Sequence, residues 1–211
     1  MKVVSLTKNN QNEVIKEAVL VLTKGGSIVY PTETVYGLGV NPFDDFAVRR
    51  LYRIKKRPED KPIPLIVKNI VMAKKLAYVN ARQEEMLRTL WPGAVTVVFD
   101  KRSLVSSAIS AHTKTVAVRI PADDFCMALL AAFNNPITST SANISGENHT
   151  NDPAALIRRF EHELYKPDLV IDAGVLKESM PSTVLDLTSE MPKVLRVGPV
   201  RAEDLAKILA L

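Results

Sequence analysis

The chain has 211 residues, 46% of them hydrophobic and 24% charged, a balance that excludes disordered and membrane-embedded classes and suits a single α/β domain spanning 1–211. Lys and Arg outnumber Asp and Glu by 28 to 23, and the formal charge of +5 suits an anionic ligand without demanding one. The one cysteine, Cys126, allows neither an internal disulfide nor a cysteine-based zinc site. No apolar run approaches the ~18 residues that cross a bilayer, and Met1 to Ser5 lacks a secretory apolar stretch, so the expected location is the cytoplasm, with no membrane partner.

Taken in chain order, Val14, Ile15, Ala18, Val19 and Leu22 recur at helical spacing behind Asn12, the expected cap, and Gly25-Gly26 supplies the stop. Ser27 to Tyr30 reads as a buried strand that opens at Pro31 into a loop ending at Gly39. A second helix, from about Asp45 to Ile54, turns Ala47, Val48, Leu51, Tyr52 and Ile54 inward and carries basic residues toward its C-terminal end. Pro64 to Val67, Val95 to Phe99, Val116 to Ile120, Ile137 to Ser141, Leu169 to Asp172, Thr183 to Leu187 and Val194 to Val197 read as extended. Ala81 to Leu90, Asp124 to Phe133, Pro153 to Phe160 and Ala202 to Leu209 read as helical. This interleaving predicts an α/β fold built on one large twisted sheet, mixed or mostly parallel, with flanking helices. His149 to Asp152 and Lys177 to Ser182 are expected to be the most mobile loops.

No Walker loop or G-x-G-x-x-G is present, and His112, His149 and His162 are too scattered for a metal cage or a triad. A nucleotide site must therefore converge from separate segments, and four are unusually polar. Pro31 to Gly39 places two hydroxyls, a carboxylate and a phenol directly after a strand. Lys55 to Pro58, with Lys61, would aim Lys55 and Arg57 the same way on an extended chain, which suits a triphosphate, although a solvated helix face would carry the same residues. Arg119 interrupts the apolar strand Val116 to Ile120, where it is costly unless paired with an anion. Ser139 to Gly146 is a run of hydroxyls and an amide that could also be a plain Ser/Asn turn.

Together these stretches resemble the YrdC/TsaC family, the threonylcarbamoyl-AMP synthases, in its short single-domain form. The likeness runs from the first strand to Arg196 through six motifs in order. They are P-T-E-T-x-Y-G-L-G at Pro31, I-K-x-R-P at Ile54, W-P-G at Trp91, V-R-x-P at Val118, S-A-N-x-S-G at Ser141 and P-S-T-V-x-D at Pro181. What the resemblance implies is a basic concave cavity that joins L-threonine, bicarbonate and ATP into threonylcarbamoyl-AMP and pyrophosphate for tRNA t6A modification. Mg²⁺ is expected on the ATP phosphates, with no metal ligand from protein side chains and no tightly bound organic cofactor. By the same resemblance Lys55, Arg57, Ser141 and Asn143 are the catalytic positions. Arg57, Lys61, Thr115, Ser141, Asn143 and Arg196 contact ATP, and Thr34, Arg119 and Ser182 hold threonine, with Lys68 and Ser139 as further candidates.

Lys68 stands where many relatives have histidine, and Ser139 replaces a frequent alanine. The implied partners are the three substrates, tRNA or double-stranded RNA, and a downstream threonylcarbamoyl transferase complex. The rival from another class is a double-stranded RNA-binding or ribosome-maturation protein that uses the same basic cavity without catalysis.

Overall fold

The computed structural model describes residues 1–209. The chain runs β1 (Lys2–Ser5), α1 (Gln11–Thr23), β2 (Ile28–Tyr30), β3 (Gly37–Gly39), α2 (Asp45–Lys55), β4 (Leu65–Ile66), α3 (Ile70–Leu76) and α4 (Ala81–Leu90). It continues with β5 (Val95–Asp100), α5 (Ser107–Ser110), β6 (Thr115–Arg119), α6 (Asp124–Phe133), β7 (Ile137–Thr138), β8 (Thr140–Ser141), α7 (Pro153–Glu161), β9 (Leu169–Asp172), β10 (Thr183–Asp186), β11 (Lys193–Arg196) and α8 (Ala202–Ile208). Short polar side chains start many of the helices: Asp44, Asn69, Asn80, Asp123 and Asp152 each accept hydrogen bonds from backbone N–H groups of the first turn. The first helix starts at Gln11 behind Asn10, so Asn12 lies inside it and not at its cap.

The α/β class is as expected, but the strands form two mixed sheets instead of one. Five strands lie in the order β1-β9-β2-β3-β8 and six in the order β11-β10-β5-β6-β4-β7. The predicted extended stretch Ile137 to Ser141 is where one becomes two. β7 pairs antiparallel with β4 at the edge of the larger sheet, β8 pairs antiparallel with β3 at the edge of the smaller, and Ser139 lies between them.

Two apolar clusters hold these layers. Val14, Ile15, Ala18 and Leu22 of α1 meet Phe125, Leu129 and Leu130 of α6 over the smaller sheet. A larger cluster joins Val48, Leu51 and Ile54 of α2 to Val97, Phe99 and Val118 of the larger sheet. Burying one such aliphatic side chain contributes about 1.5–3 kcal/mol, so these faces supply the drive that the short strands lack. The two loops expected to be mobile are tied to each other, by Asn151 Nδ2 donating to Lys177 O at 3.0 Å and by a 3.3 Å contact of the His149 ring with Ser179 O.

Candidate active site

The loop after β2 is held by its own hydroxyls. Thr32 Oγ1 accepts from the Thr34 and Val35 N–H groups at 3.0 and 3.2 Å and donates to Val35 O at 2.7 Å. The two glycines that follow are required by contact. A Cβ on Gly37 would stand 2.8 Å from the Tyr30 ring, and one on Gly39 would stand 2.6 Å from Ile137. The loop therefore lies close against both sheets, and Thr34, buried, faces Arg119.

Arg119 ends β6 and is itself buried. Its Nη1 donates to Glu33 Oε1 at 2.9 Å and to Thr34 Oγ1 at 3.4 Å. The anion that an arginine in an apolar strand requires is thus supplied within the protein, by the one acid of the Pro31 to Gly39 loop. Beside this pair, Ser182 Oγ lies 2.8 Å from Thr96 Oγ1, and Arg196 donates through Nε and Nη2 to Ser182 O at 3.1 and 2.7 Å. Burial and the neighbouring Arg119 lower the pKa of Arg196 from its ordinary value.

Lys55 and Arg57 do not sit side by side on an extended strand. Lys55 is the last residue of α2, and Lys56 adopts a left-handed conformation with φ 48°, which turns the chain. Lys55 consequently points inward, 2% exposed, and its ammonium donates to Ser141 O at 2.5 Å, Asn143 O at 2.8 Å and Asn143 Oδ1 at 3.3 Å. Ser141 Oγ also donates to Asn143 Oδ1 at 2.6 Å, so the S-A-N turn is fastened from beneath by a lysine. Burial, then the charge of Arg57, lowers the Lys55 pKa from 10.5 to about 7. Arg57 reaches the other way, its guanidinium donating to Lys61 O at 3.2 Å and Pro62 O at 2.9 Å. Burial depresses its pKa too.

These segments line one partly open cavity of about 170 Å³. Of the predicted residues, Thr34, Arg57, Arg119, Ser139, Ser141, Ser182 and Arg196 line it. Lys55 and Asn143 stand behind Ser141. The rest lie elsewhere. Thr115 begins β6, about 13 Å of strand from Arg119 at ~3.3 Å per residue, with its hydroxyl 3.2 Å from that of Thr113. The Lys68 ammonium bonds Asn134 Oδ1 at 2.6 Å, and Lys61 is exposed, offering its carbonyl to Tyr52 and Arg57. Sequence reasoning passed over Glu33 and Thr96. The signal for Glu33 was there, since an arginine in an apolar strand demands an acid and the polar loop holds only one.

Among the described residues, no cluster of three or more His, Cys, Asp or Glu is arranged to hold a metal ion, and no helix is long and apolar enough to cross a membrane. The Sua5/YciO/YrdC family model, described as telomere recombination, matches residues 20–198. The chain belongs to this family. It is 35% identical over 196 residues to threonylcarbamoyl-AMP synthase of Pyrococcus abyssi, covering 92% of this chain and 57% of that protein. It is also 34% identical to an uncharacterized protein of Haemophilus influenzae, covering 90% of this chain and 92% of that one. Among solved structures it is similar to P. abyssi Sua5 complexed with L-threonine, with a TM-score of 0.92 and 32% identity over 99% of this chain and 61% of that chain. E. coli YciO superposes with a TM-score of 0.83 at 29% identity, covering 94% of this chain and 95% of its own. The chain thus spans little more than half the length of the Pyrococcus synthase and nearly all of the length of YciO. The expected fold is borne out by both structures.

Proposed function

We propose that this protein is an L-threonylcarbamoyladenylate synthase, a nucleotidyltransferase of the cytoplasm. The observation that carries the reading is the convergence of Thr34, Arg119 and Ser182 with Arg57, Ser141 and Arg196 on one cavity, in a chain 35% identical to a threonylcarbamoyl-AMP synthase. The threonine amine adds to bicarbonate-derived CO₂ to give a carbamate. A carbamate oxygen then bonds to the α-phosphorus of ATP while the bond to the bridging oxygen of pyrophosphate breaks. Such a transfer needs little covalent help from protein and much positioning and charge compensation.

In this reading Arg57 and Arg196 offset phosphate charge, and Ser141 and Asn143 place the nucleotide. Arg119 grips the amino-acid carboxylate, with Thr34 and Ser182 beside it. Lys55 acts by fixing the S-A-N turn. Mg²⁺ enters as part of the MgATP substrate, because the described residues that line the cavity offer hydroxyls and guanidinium groups and no carboxylate. Incubation with ATP, bicarbonate and threonine, followed by assay for pyrophosphate and the adenylate, tests the reading. Pyrophosphate release that does not depend on threonine would sink it.

One observation favours RNA as a further partner. Arg49 and Arg53 lie on the exposed face of α2, 5.5 Å over the Phe46 and Tyr165 rings respectively, a surface suited to phosphate and base stacking. Titration with tRNA and with duplex RNA, with Arg49→Ala/Arg53→Ala as the comparison, tests this, and unchanged affinity in the variant would exclude that face.

A further inference from the structure

The three arginines that line the cavity are not equivalent in charge. Arg57 rests on the carbonyls of Lys61 and Pro62, and Arg196 on that of Ser182. Neutral carbonyls leave both guanidinium charges available to an anion. Arg119 instead is paired with a carboxylate, Glu33, at 2.9 Å, with side chains 5% and 19% exposed, where solvent screens little. This pair uses Nη1 alone. Among the described residues Arg119 Nη2 and Nε meet no acceptor, so the edge of the guanidinium that bears two parallel N–H groups is uncommitted. Glu33 Oε2 is buried and likewise takes no hydrogen bond among the described residues, so half of that carboxylate is unspent.

We infer that Glu33 is a specificity-determining residue that makes the Arg119 end of the cavity net neutral, so that it selects a zwitterionic α-amino acid over a plain carboxylic acid or a phosphate. The inference rests on the synthase reading and names the chemistry by which that reading's amino acid is chosen. A simple anion approaching the pair is drawn by Arg119 and repelled by Glu33, and the two nearly cancel. An α-amino acid can set its carboxylate on the free guanidinium edge and its ammonium in the field of Glu33, so both interactions are favourable. The triphosphate is steered by the same logic toward Arg57 and Arg196, which leaves the amino-acid end clear.

The test is calorimetric titration of the wild type and of Glu33→Gln with L-threonine and with 3-hydroxybutyrate, which is threonine without its amino group, and with ATP as a measure of the intact cavity. Two unit charges ~5–6 Å apart in a partly screened site interact strongly enough to shift a binding ratio roughly tenfold or more. The wild type should prefer threonine by at least that factor. In Glu33→Gln the preference should shrink roughly tenfold, mainly because 3-hydroxybutyrate binds more tightly, while ATP affinity stays within about twofold. Equal preference ratios in the two proteins, or a wild type that takes both acids equally, would overturn the inference, and the second comparison requires no variant at all. Wild-type protein that binds ATP but neither acid would remove the synthase reading itself.

Discussion

Lys55→Met isolates what the buried ammonium does, and its effect on stability should depend on pH. Two magnitudes compete. Removing the ammonium strips the Ser141 and Asn143 carbonyls of a donor, at about 1–3 kcal/mol each. It also removes the burden of a charge taken out of water. With the pKa lowered from 10.5 to about 7, that burden is roughly 5 kcal/mol below pH 7, and the two effects nearly offset. Between about pH 7 and 10.5 the unfolded chain holds a proton on Lys55 that the folded chain has lost, so wild-type stability rises with pH through this window. Relative to the variant it should gain about 2–3 kcal/mol from roughly pH 6.5 to 9, which for a chain of this size widens the gap in Tm by about 4–12 °C. Thermal melts of both proteins at the two pH values measure this, and ATP titration of the same samples should show at least roughly tenfold weaker binding in the variant, whose S-A-N turn is no longer fastened. A Tm gap that stays constant with pH, together with unchanged ATP affinity, would refute the account of Lys55.

Arg57→Ala should reduce ATP affinity and turnover by roughly tenfold or more, the equivalent of one charge-assisted contact, while thermal melts show an intact fold. Arg119→Leu combined with Glu33→Gln, which avoids stranding a buried carboxylate, should weaken threonine roughly 30-fold or more and ATP far less, and equal weakening of both ligands would assign Arg119 a structural role. Asp168 takes two hydrogen bonds from Arg50 and others from Ser27; burial raises its pKa, but these donors outweigh it and hold the carboxyl below its ordinary value. Its stabilisation is therefore present at neutral pH and lost as pH falls through the folded pKa, so Asp168→Asn should destabilise at pH 7 and resist acid relatively better, read from urea midpoints at pH 7 and about pH 3.

What could be read from the sequence was local and periodic. The stripe of Ala47, Val48, Leu51, Tyr52 and Ile54 announced α2, and motif order announced the polar segments of the cavity. What escaped was set by single torsions and distant partners. Alternation of Lys55 and Arg57 presumes an extended chain, and one left-handed residue, Lys56, sent the two side chains to opposite duties. Arg119 declared its need for an anion, but the residue that meets it lies 86 positions away on another sheet's loop. β4, β7 and β8 have two residues each, too few for any period to show, so the division into two sheets was invisible. Thr115 shares a strand with Arg119, and nothing in their spacing reveals that the cavity lies at only one end of it.

The passage of the chain through Ser139, from the edge of one sheet to the edge of the other, makes the cavity a joint property of both sheets. Neither sheet could be expressed, borrowed or redesigned alone with the cavity intact, because Ser141 hangs from one sheet while Arg119 belongs to the other and both line it. An insertion of even one residue between Thr138 and Thr140 would shift every side chain of β8 to the opposite face. Variation over evolutionary time should therefore collect in the turn between β10 and β11, whose own residues line no part of this cavity, and spare this crossing.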